Sequence, residues 1–501
     1  MQNKKYETVI GLEIHVRLDT KSKMFCACSN SGEDLPPNTT VCPICMGHPG
    51  TLPAMNEQAI AWGMKAALAI NCTVAHESKF DRKHYFYPDL PKGYQISQYD
   101  QPIGQNGWIE FMVESELKKV RLNRLHLEED AAKLMHEKNH SLVDFNRAGV
   151  PLAEIVTEVD LRSPKEAKAF LQELRRIMRY LGVSEADMEK GHLRCDANIS
   201  LRPVGDAKLY AKTEIKNLNS FRSVEKALAY EEERQRILWE EGTPVSYLST
   251  RGWNEQEQKT YEQRIKEDAN DYRYFPEPDL PPLEFKDRVI EAVRDQLPEL
   301  PAAKRKRFQE QYGLSPADVA VLTDDKEVAH YTEQVISELK SWLMDLEEME
   351  GTEEDIWRTH KKKLAKLVAN WIGTELFKHL NEHKLSIKDC KITPENFSEF
   401  LTLIWKKKVN SSAAQTILET MLGTGADPSH ILEEKDLGQM DDARALDVII
   451  AKIITTNEKV VAEYRGGKEN AIQFLVGMVM KESKGKANPE TALEILRKKL
   501  S

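Results

Sequence analysis

The stretch Val9 to Leu18, V-I-G-L-E-I-H-V-R-L, alternates strictly: Leu12, Ile14, Val16 and Leu18 fall on one face, and Glu13, His15 and Arg17 on the other. Residues two apart in a β-strand lie on the same side, about 7 Å from each other. A strand buried on its apolar side therefore presents a charged row on its other side. A carboxylate and an imidazole so spaced can share a metal or a phosphate. The plainer alternative is the solvated face of an antiparallel sheet.

Outward from this strand, residues 1 to about 290 alternate short β-like runs with turn signals. The pattern predicts strands over 8–18, 107–114, 118–127, 152–159, 193–202 and 210–217, and helices over 55–70, 164–181 and 221–241. Ser163 followed by Pro164 is a helix start, an N-cap with proline at the first helical position. A proline-rich stretch from Pro276 to Pro301 marks a boundary, beyond which the pattern is helical to the end. An acidic, loop-like insertion interrupts it around Glu347 to Asp355, and Asn488-Pro489 caps the final helix. The predicted class is α+β: a large N-terminal domain over 1–293 with a mainly antiparallel sheet, an all-helical domain over 294–410 and a small all-helical tail over 411–501.

The chain has 501 residues and a formal net charge of −10, which argues against a protein that simply coats nucleic acid. Local basic clusters at Lys361 to Lys363, Lys406 to Lys408 and through Lys481, Lys484, Lys486, Arg497, Lys498 and Lys499 read as solvated helix faces or as RNA contacts. No run approaches the roughly 20 apolar residues of a membrane span. The N-terminus enters the first strand without room for a signal or transit segment, so the expected location is the cytoplasm.

Cys26-x-Cys28 and Cys42-x-x-Cys45 form two close thiol pairs, which in a reducing compartment suit tetrahedral zinc better than disulfides. Four thiolates would leave no open position, so the role would be structural; an iron–sulfur cluster or a reduced, unligated set are the alternatives. His48 fits packing or support rather than ligation. Over Ser78 to Pro102 the sequence lacks periodicity and mixes bases with aromatics. It reads either as a functional loop in which Lys79, Arg82, Lys83, Tyr85 and Tyr87 could hold a phosphate and stack a base, or as a buried aromatic loop that stabilises the domain. The run R-L-H-L-E-E-D puts His126, Glu128 and Asp130 on one side of a strand end and Glu129 on the other, and such acids suit magnesium. Glu154 sits among apolar neighbours and needs a partner. Arg194, Asp196, Asn198 and Ser200 share one strand face, and Lys212, Glu214 and Lys216 share another, together suggesting a lined cleft. Neither a P-loop nor a dinucleotide fingerprint nor an amidase-type serine segment is present.

Taken in order, V-I-G-L-E-I-H-V, the C-x-C…C-P-x-C loop, F-D-R-K-H-Y-F-Y-P-D-L-P-K-G-Y-Q-I-S-Q, H-L-E-E-D, L-R-C-D-A-N-I-S, K-N-L-N-S-F, D-Y-R-Y-F-P-E-P-D-L and the tail F-L-V-G-M-V-M-K-E-S-K-G-K-A-N-P closely resemble the GatB family, one of the subunit types of the glutamine-dependent aspartyl/glutamyl-tRNA amidotransferases. The resemblance implies a cradle domain, a helical domain and a YqeY-like tail that binds tRNA. It implies a carbon–nitrogen ligase: ATP phosphorylates the side-chain carboxylate of Asp-tRNA(Asn) or Glu-tRNA(Gln), and ammonia from glutamine displaces the phosphate. The implied partners are the amidase subunit and the small subunit of a heterotrimer, tRNA and a non-discriminating aminoacyl-tRNA synthetase, with no membrane. Carried residue by residue, Glu13, His15, Glu128, Glu129 and Glu154 match the magnesium and catalytic positions, with the choice between Glu128 and Glu129 open. Cys26, Cys28, Cys42 and Cys45 match a structural zinc site. Lys79, Arg82, Lys83, Tyr85, Tyr87, Asp196 and Glu214 are expected toward ATP or the tRNA acceptor end, and Lys481, Lys484 and Lys486 toward tRNA.

A non-catalytic RNA scaffold fits poorly with inward acids at Glu13 and Glu154, which would repel RNA. A free-standing ligase for a small carboxylate would not need the basic helical tail.

Overall fold

A computed structural model describes residues 5–266, 272–342, 353–438, 443–483 and 486–500. The chain forms two compact units, Met1–Ala303 and Lys304–Ser501.

The first unit is built on a nine-stranded sheet: β1 (Tyr6–Arg17), β2 (Thr73–Val74), β3 (Gly104–Val113), β4 (Glu116–Glu129), β5 (Pro151–Thr157), β6 (Leu193–Pro203), β7 (Thr213–Lys216), β8 (Leu248–Asn254) and β9 (Lys259–Lys266). Their spatial order is β9-β8-β7-β6-β1-β5-β4-β3-β2. All neighbours pair antiparallel except β7 with β8. The opening strand thus lies in the interior of the sheet.

Three helices, α1 (Glu57–Ala69), α2 (Pro164–Leu181) and α3 (Phe221–Glu240), share the hydrophobic core of this unit. Each begins at a side-chain cap, Asn56, Ser163 or Ser220, whose oxygen accepts an otherwise orphan backbone N–H. α2 ends at Gly182, whose φ of +68° is a left-handed conformation that favours glycine. Its Ala167, Phe170, Leu171, Leu174, Ile177, Met178 and Leu181 form one buried stripe at helical spacing. They join Ile10, Leu12, Ile14 and Val16 of β1 in that core. Fully burying each large aliphatic or aromatic side chain stabilises by about 1.5–3 kcal/mol, and Phe170→Ala would cost about 3–5 kcal/mol.

The stretch 78–102 departs from the expected irregular loop. Asp81–His84 and Tyr94–Ser97 are strands, and with Arg273–Pro276 they form a separate three-stranded sheet. Tyr274 pairs with Lys83, and Phe275 with Arg82. The central strand uses both faces for charged contacts, so no apolar alternation betrays it. Its outer partner arrives almost 200 residues later.

In the second unit, one core gathers residues from Phe308 to Ile431 and another gathers residues from Leu446 to Leu500. Residue 410, the expected division, is the N-cap of helix Ser411–Thr424. That helix buries Ala414, Ile417, Leu418 and Met421 in the earlier core, which therefore runs past the sequence-based break. Of the acidic insertion, residues 347–352 lie outside the described residues, and a helix runs over Glu353–Asn370. Among the described residues, no helix is long and apolar enough to cross a membrane.

Candidate functional site

Sheet register turns the charged face of β1 into a polar row. His126 on β4 lies opposite Glu154 on β5, Glu154 opposite His15 on β1, and His15 opposite Arg194 on β6. Directly paired residues hold their Cβ atoms about 4.5–5.5 Å apart, and the side chains here close that gap. His126 Nε2 lies 2.9 Å from Glu154 Oε2. His15 Nε2 lies 3.5 Å from Glu154 Oε2 and 3.5 Å from Glu128 Oε1. Ser97 Oγ donates to Glu128 Oε2 at 3.1 Å from the small sheet.

The electrostatics follow from packing acids and imidazoles in a largely dry setting. Burial alone would raise the pKa of Glu154, but His126 and His15 hold it well below the carboxylate range. Burial opposes a charged imidazole at His126, yet Glu154 and Glu128 push its pKa up to about 9. His15 is raised for the same reason. The acids and imidazoles thus offset one another's charge within the cluster.

The two adjacent glutamates diverge, as strand alternation requires. Glu128 joins the cluster, whereas Glu129 is held by Lys92 Nζ at 2.6 Å and by the Ile96 N–H at 2.9 Å. Of the two glutamates between which the sequence leaves the choice open, Glu128 is the one whose carboxylate converges with His15 and Glu154. Glu13 stands one pair along the same face, opposite Asp196, and accepts from Asn198 Nδ2 at 3.1 Å. Lys216 binds Asp196 at 2.5 Å and Glu214 at 3.1 Å, extending the polar lining across β6 and β7.

Of the bases expected toward phosphate, two are engaged by acids. Lys79 bridges Asp81 and Asp100, each at 2.6 Å. Arg82 makes a fork with Glu277 at 2.7 and 2.8 Å and lies over the Tyr94 ring. Lys83 differs: its ammonium lies 4.8 Å over the Tyr272 ring, and although burial would lower its pKa, Glu128, Tyr274 and Glu154 raise it. Tyr85 packs edge-on against Tyr272, and Tyr87 is half exposed. In the tail, Lys481 is exposed, Lys486 pairs with Asp436, and Lys484 lies outside the described residues.

Sequence reasoning passes over His126 as a site residue, although alternation already places it with Glu128. It also passes over the Asp130–Arg194 pair at 2.8 Å, which borders His15. That pair needs strand order to be seen.

The donor atoms of His15, Glu128 and Glu154 lie within 4.8 Å of one another. Two carboxylates and one imidazole, with His15 partly open to solvent, fit a hard divalent cation that keeps water or phosphate ligands. The thiols of Cys26, Cys28, Cys42 and Cys45 meet the same distance limit. Cys42 and Cys45 stand 3.9 Å apart, close to the roughly 3.8 Å edge of a tetrahedron with 2.3 Å zinc–sulfur bonds. Cys45 is held below the thiol range by the Cys26 hydrogen bond, against burial, with the Cys42 N–H and Lys23 adding to the effect. His48 is not part of this group. The donor set fits zinc.

Known proteins match along nearly the whole chain. The GatB/GatE catalytic domain matches residues 8–291, and the GatB domain of the YqeY type matches residues 355–500. Proteins named as the B-type subunits of aspartyl/glutamyl-tRNA(Asn/Gln) amidotransferase are similar end to end. The one from Carboxydothermus hydrogenoformans is 46% identical over 504 residues, with 99% of each chain covered. Those from Dehalococcoides mccartyi and Thermotoga petrophila are 48% and 47% identical, again with 99% of each chain covered. The chain belongs to the GatB family.

Proposed function

We propose that this GatB-family chain acts as the GatB subunit of an aspartyl/glutamyl-tRNA amidotransferase, converting Asp-tRNA(Asn) or Glu-tRNA(Gln) to the amide with ATP and glutamine. The observation that carries the reading is the convergence of His15, Glu128 and Glu154 on one face of the sheet, in a chain collinear with proteins of that name.

A carboxylate is a poor electrophile, so amidation requires its activation. Its oxygen attacks the γ-phosphorus of ATP, the bond to ADP breaks, and an acyl phosphate forms. Ammonia then adds to the acyl carbon and phosphate leaves. His15, Glu128 and Glu154 would hold magnesium, which when bound supplies neutralisation of charge at the transferring phosphoryl group. His126 orients Glu154, and Ser97 orients Glu128. Lys83 offers a cation to the phosphate or the substrate carboxylate, while Glu13, Asp196 and Glu214 line the approach. Glu129 supports the wall through Lys92. Arg82 and Lys79 brace the small sheet that carries Lys83, with Tyr85 and Tyr87 at its rim. Zinc held by the four thiols would fasten the loop beside β1.

Ammonia would come from glutamine hydrolysed in a separate amidase subunit, with a third, small subunit bracing the pair and a non-discriminating synthetase supplying the charged tRNA. The tail, through Lys481, Lys484 and Lys486, would contact tRNA, and the assembly would work in the cytoplasm.

The test is an amidation assay with mischarged tRNA, ATP and glutamine, with and without the amidase subunit. Dependence on tRNA and on that subunit, with activity lost in Glu128→Ala, is the expected result. Turnover of a free amino acid without tRNA would overturn the reading.

A further inference from the structure

Among the described residues of the first unit, Lys23 is the most deeply buried lysine or arginine, with 0% of its surface exposed. Among the described residues it has no carboxylate at ion-pair distance. Its ammonium lies 3.9 Å from Cys45 Sγ and donates to the Phe145 carbonyl at 3.2 Å. Its backbone N–H donates to the carbonyl of Cys28 at 2.9 Å, so the residue is tied to the thiol loop at both ends. Its stem passes Gly149, where a Cβ would come within 3.4 Å of Lys23 Cδ and where φ is +86°.

A buried ammonium without an anion is costly, and a pair of charges taken from water is retained only when each compensates the other. The sulfurs are the available anions. A divalent ion in four thiolates carries a net charge of −2, which a dry pocket also disfavours. Cys45 receives both the Lys23 ammonium and the Cys42 N–H, the latter at 3.2 Å.

We propose that Lys23 is the internal counter-cation of the four-thiolate metal site, a positioning residue that retains the metal and couples the loop to the polar row. The inference rests on the zinc reading above. The coupling runs through the segment that Lys23 grips. Met24 N–H donates to the Gly149 carbonyl at 2.7 Å, and Gly149 N–H donates to the Asp130 carbonyl at 2.9 Å. Asp130 is the partner of Arg194 beside His15. In the same segment Asn146 Oδ1 accepts the N–H groups of Thr39 and Thr40, each at 2.8 Å, just before Cys42.

The experiment is zinc competition between the full-length chain and a chromophoric chelator, with metal content measured in parallel. Lys23→Met is expected to weaken zinc binding by about tenfold to a hundredfold, the range for outer partners of metal ligands. The cobalt(II)-loaded variant is expected to keep its four-thiolate charge-transfer bands. Lys23→Arg is expected to restore most of the affinity. If Lys23→Met yields no folded chain, Lys23→Gln, which keeps a donor for the Phe145 carbonyl without the charge, is read in the same way. Zinc held within twofold of the parent by the neutral variant overturns the proposal and leaves the zinc reading standing. A parent chain that binds no zinc overturns both. Thermal unfolding gives a second readout: in a Cys26→Ser/Cys45→Ser background, Lys23→Met is expected to leave Tm unchanged or raise it. A drop equal to that in the parent would mean that Lys23 only packs, and would overturn the proposal.

Discussion

The thiol cluster and the acid–imidazole cluster are both groups whose donor atoms converge within 4.8 Å, yet they are assembled in opposite ways. The thiols come from the single connection between β1 and α1, and local turns shape the Cys42 and Cys45 half of the cluster. Met46 N–H to the Cys42 carbonyl at 3.0 Å and His48 N–H to the Pro43 carbonyl at 2.9 Å are such turns. The second cluster takes one residue from each of three strands, β1, β4 and β5, and exists only while their register holds. A site closed by its own loop supports structure. A site shared among strands and left partly open can receive a substrate.

The sharpest way to break this contrast is to exchange the expected phenotypes. Glu154→Gln is expected to reduce amidation by about a hundredfold or more, judged against the cost of losing even an outer partner of a metal ligand, with the unfolding transition still cooperative. Wild-type turnover in this variant would remove the site from the chemistry. Zinc stripping with a chelator, followed by its removal and assay in excess magnesium, is expected to do the reverse: a lower Tm, since structural metal binding is coupled to folding, with activity at low temperature changed far less than in Glu154→Gln. Equal losses of activity from both treatments would erase the distinction.

The adjacent glutamates sharpen the comparison within one strand. Glu129→Gln leaves half-buried Lys92 without its anion, so a destabilisation of about 1–3 kcal/mol is expected in denaturant unfolding, with the magnesium concentration for half-maximal activity unchanged. Glu128→Gln is expected to shift that magnesium requirement upward. A reversed pattern would mean that Glu129, not Glu128, faces the metal.

The smallest effect concerns the strap between the two regions. Arg17, the remaining charge of the opening strand, binds Glu33 at 2.7 Å and the Asn30 carbonyl at 2.8 Å, both in the thiol loop, and His192 also contacts Glu33 at 2.9 Å. Burial would raise the pKa of Glu33, but His192 and Arg17 lower it. A lowered carboxylate contributes stability that is present above its unfolded value of about 4.3 and lost as pH falls through the folded value. Because Glu33 is partly exposed, the contribution is about 1 kcal/mol at most. Arg17→Met is expected to flatten the acid limb of the stability curve below about pH 5. An unchanged limb in urea unfolding would discard the strap.

Much of this is legible in the chain alone. The strand alternation of Val9 to Leu18, the Ser163-Pro164 helix start and the four-cysteine loop each depend on residues near one another in the chain, where local sterics and hydrogen bonding decide the outcome. The small sheet of Asp81–His84 is not legible, because its charged residues satisfy themselves with Glu277 and Asp100 instead of displaying a period. Nor do the bases around it announce their roles: Lys79 and Arg82 are held by acids, whereas the Lys83 ammonium lies over the Tyr272 ring.

By itself the sequence determined which side of each strand a residue occupies, that four thiols would meet, and to which family the chain is related. The tertiary structure decided that His126, Glu154, His15 and Arg194 form one row, that Glu128 rather than Glu129 joins it, and that buried Lys23 faces a sulfur. The reason is physical: a period of two fixes a side chain's face within its own strand, whereas its neighbour across the sheet depends on a register set by the packing of the whole core.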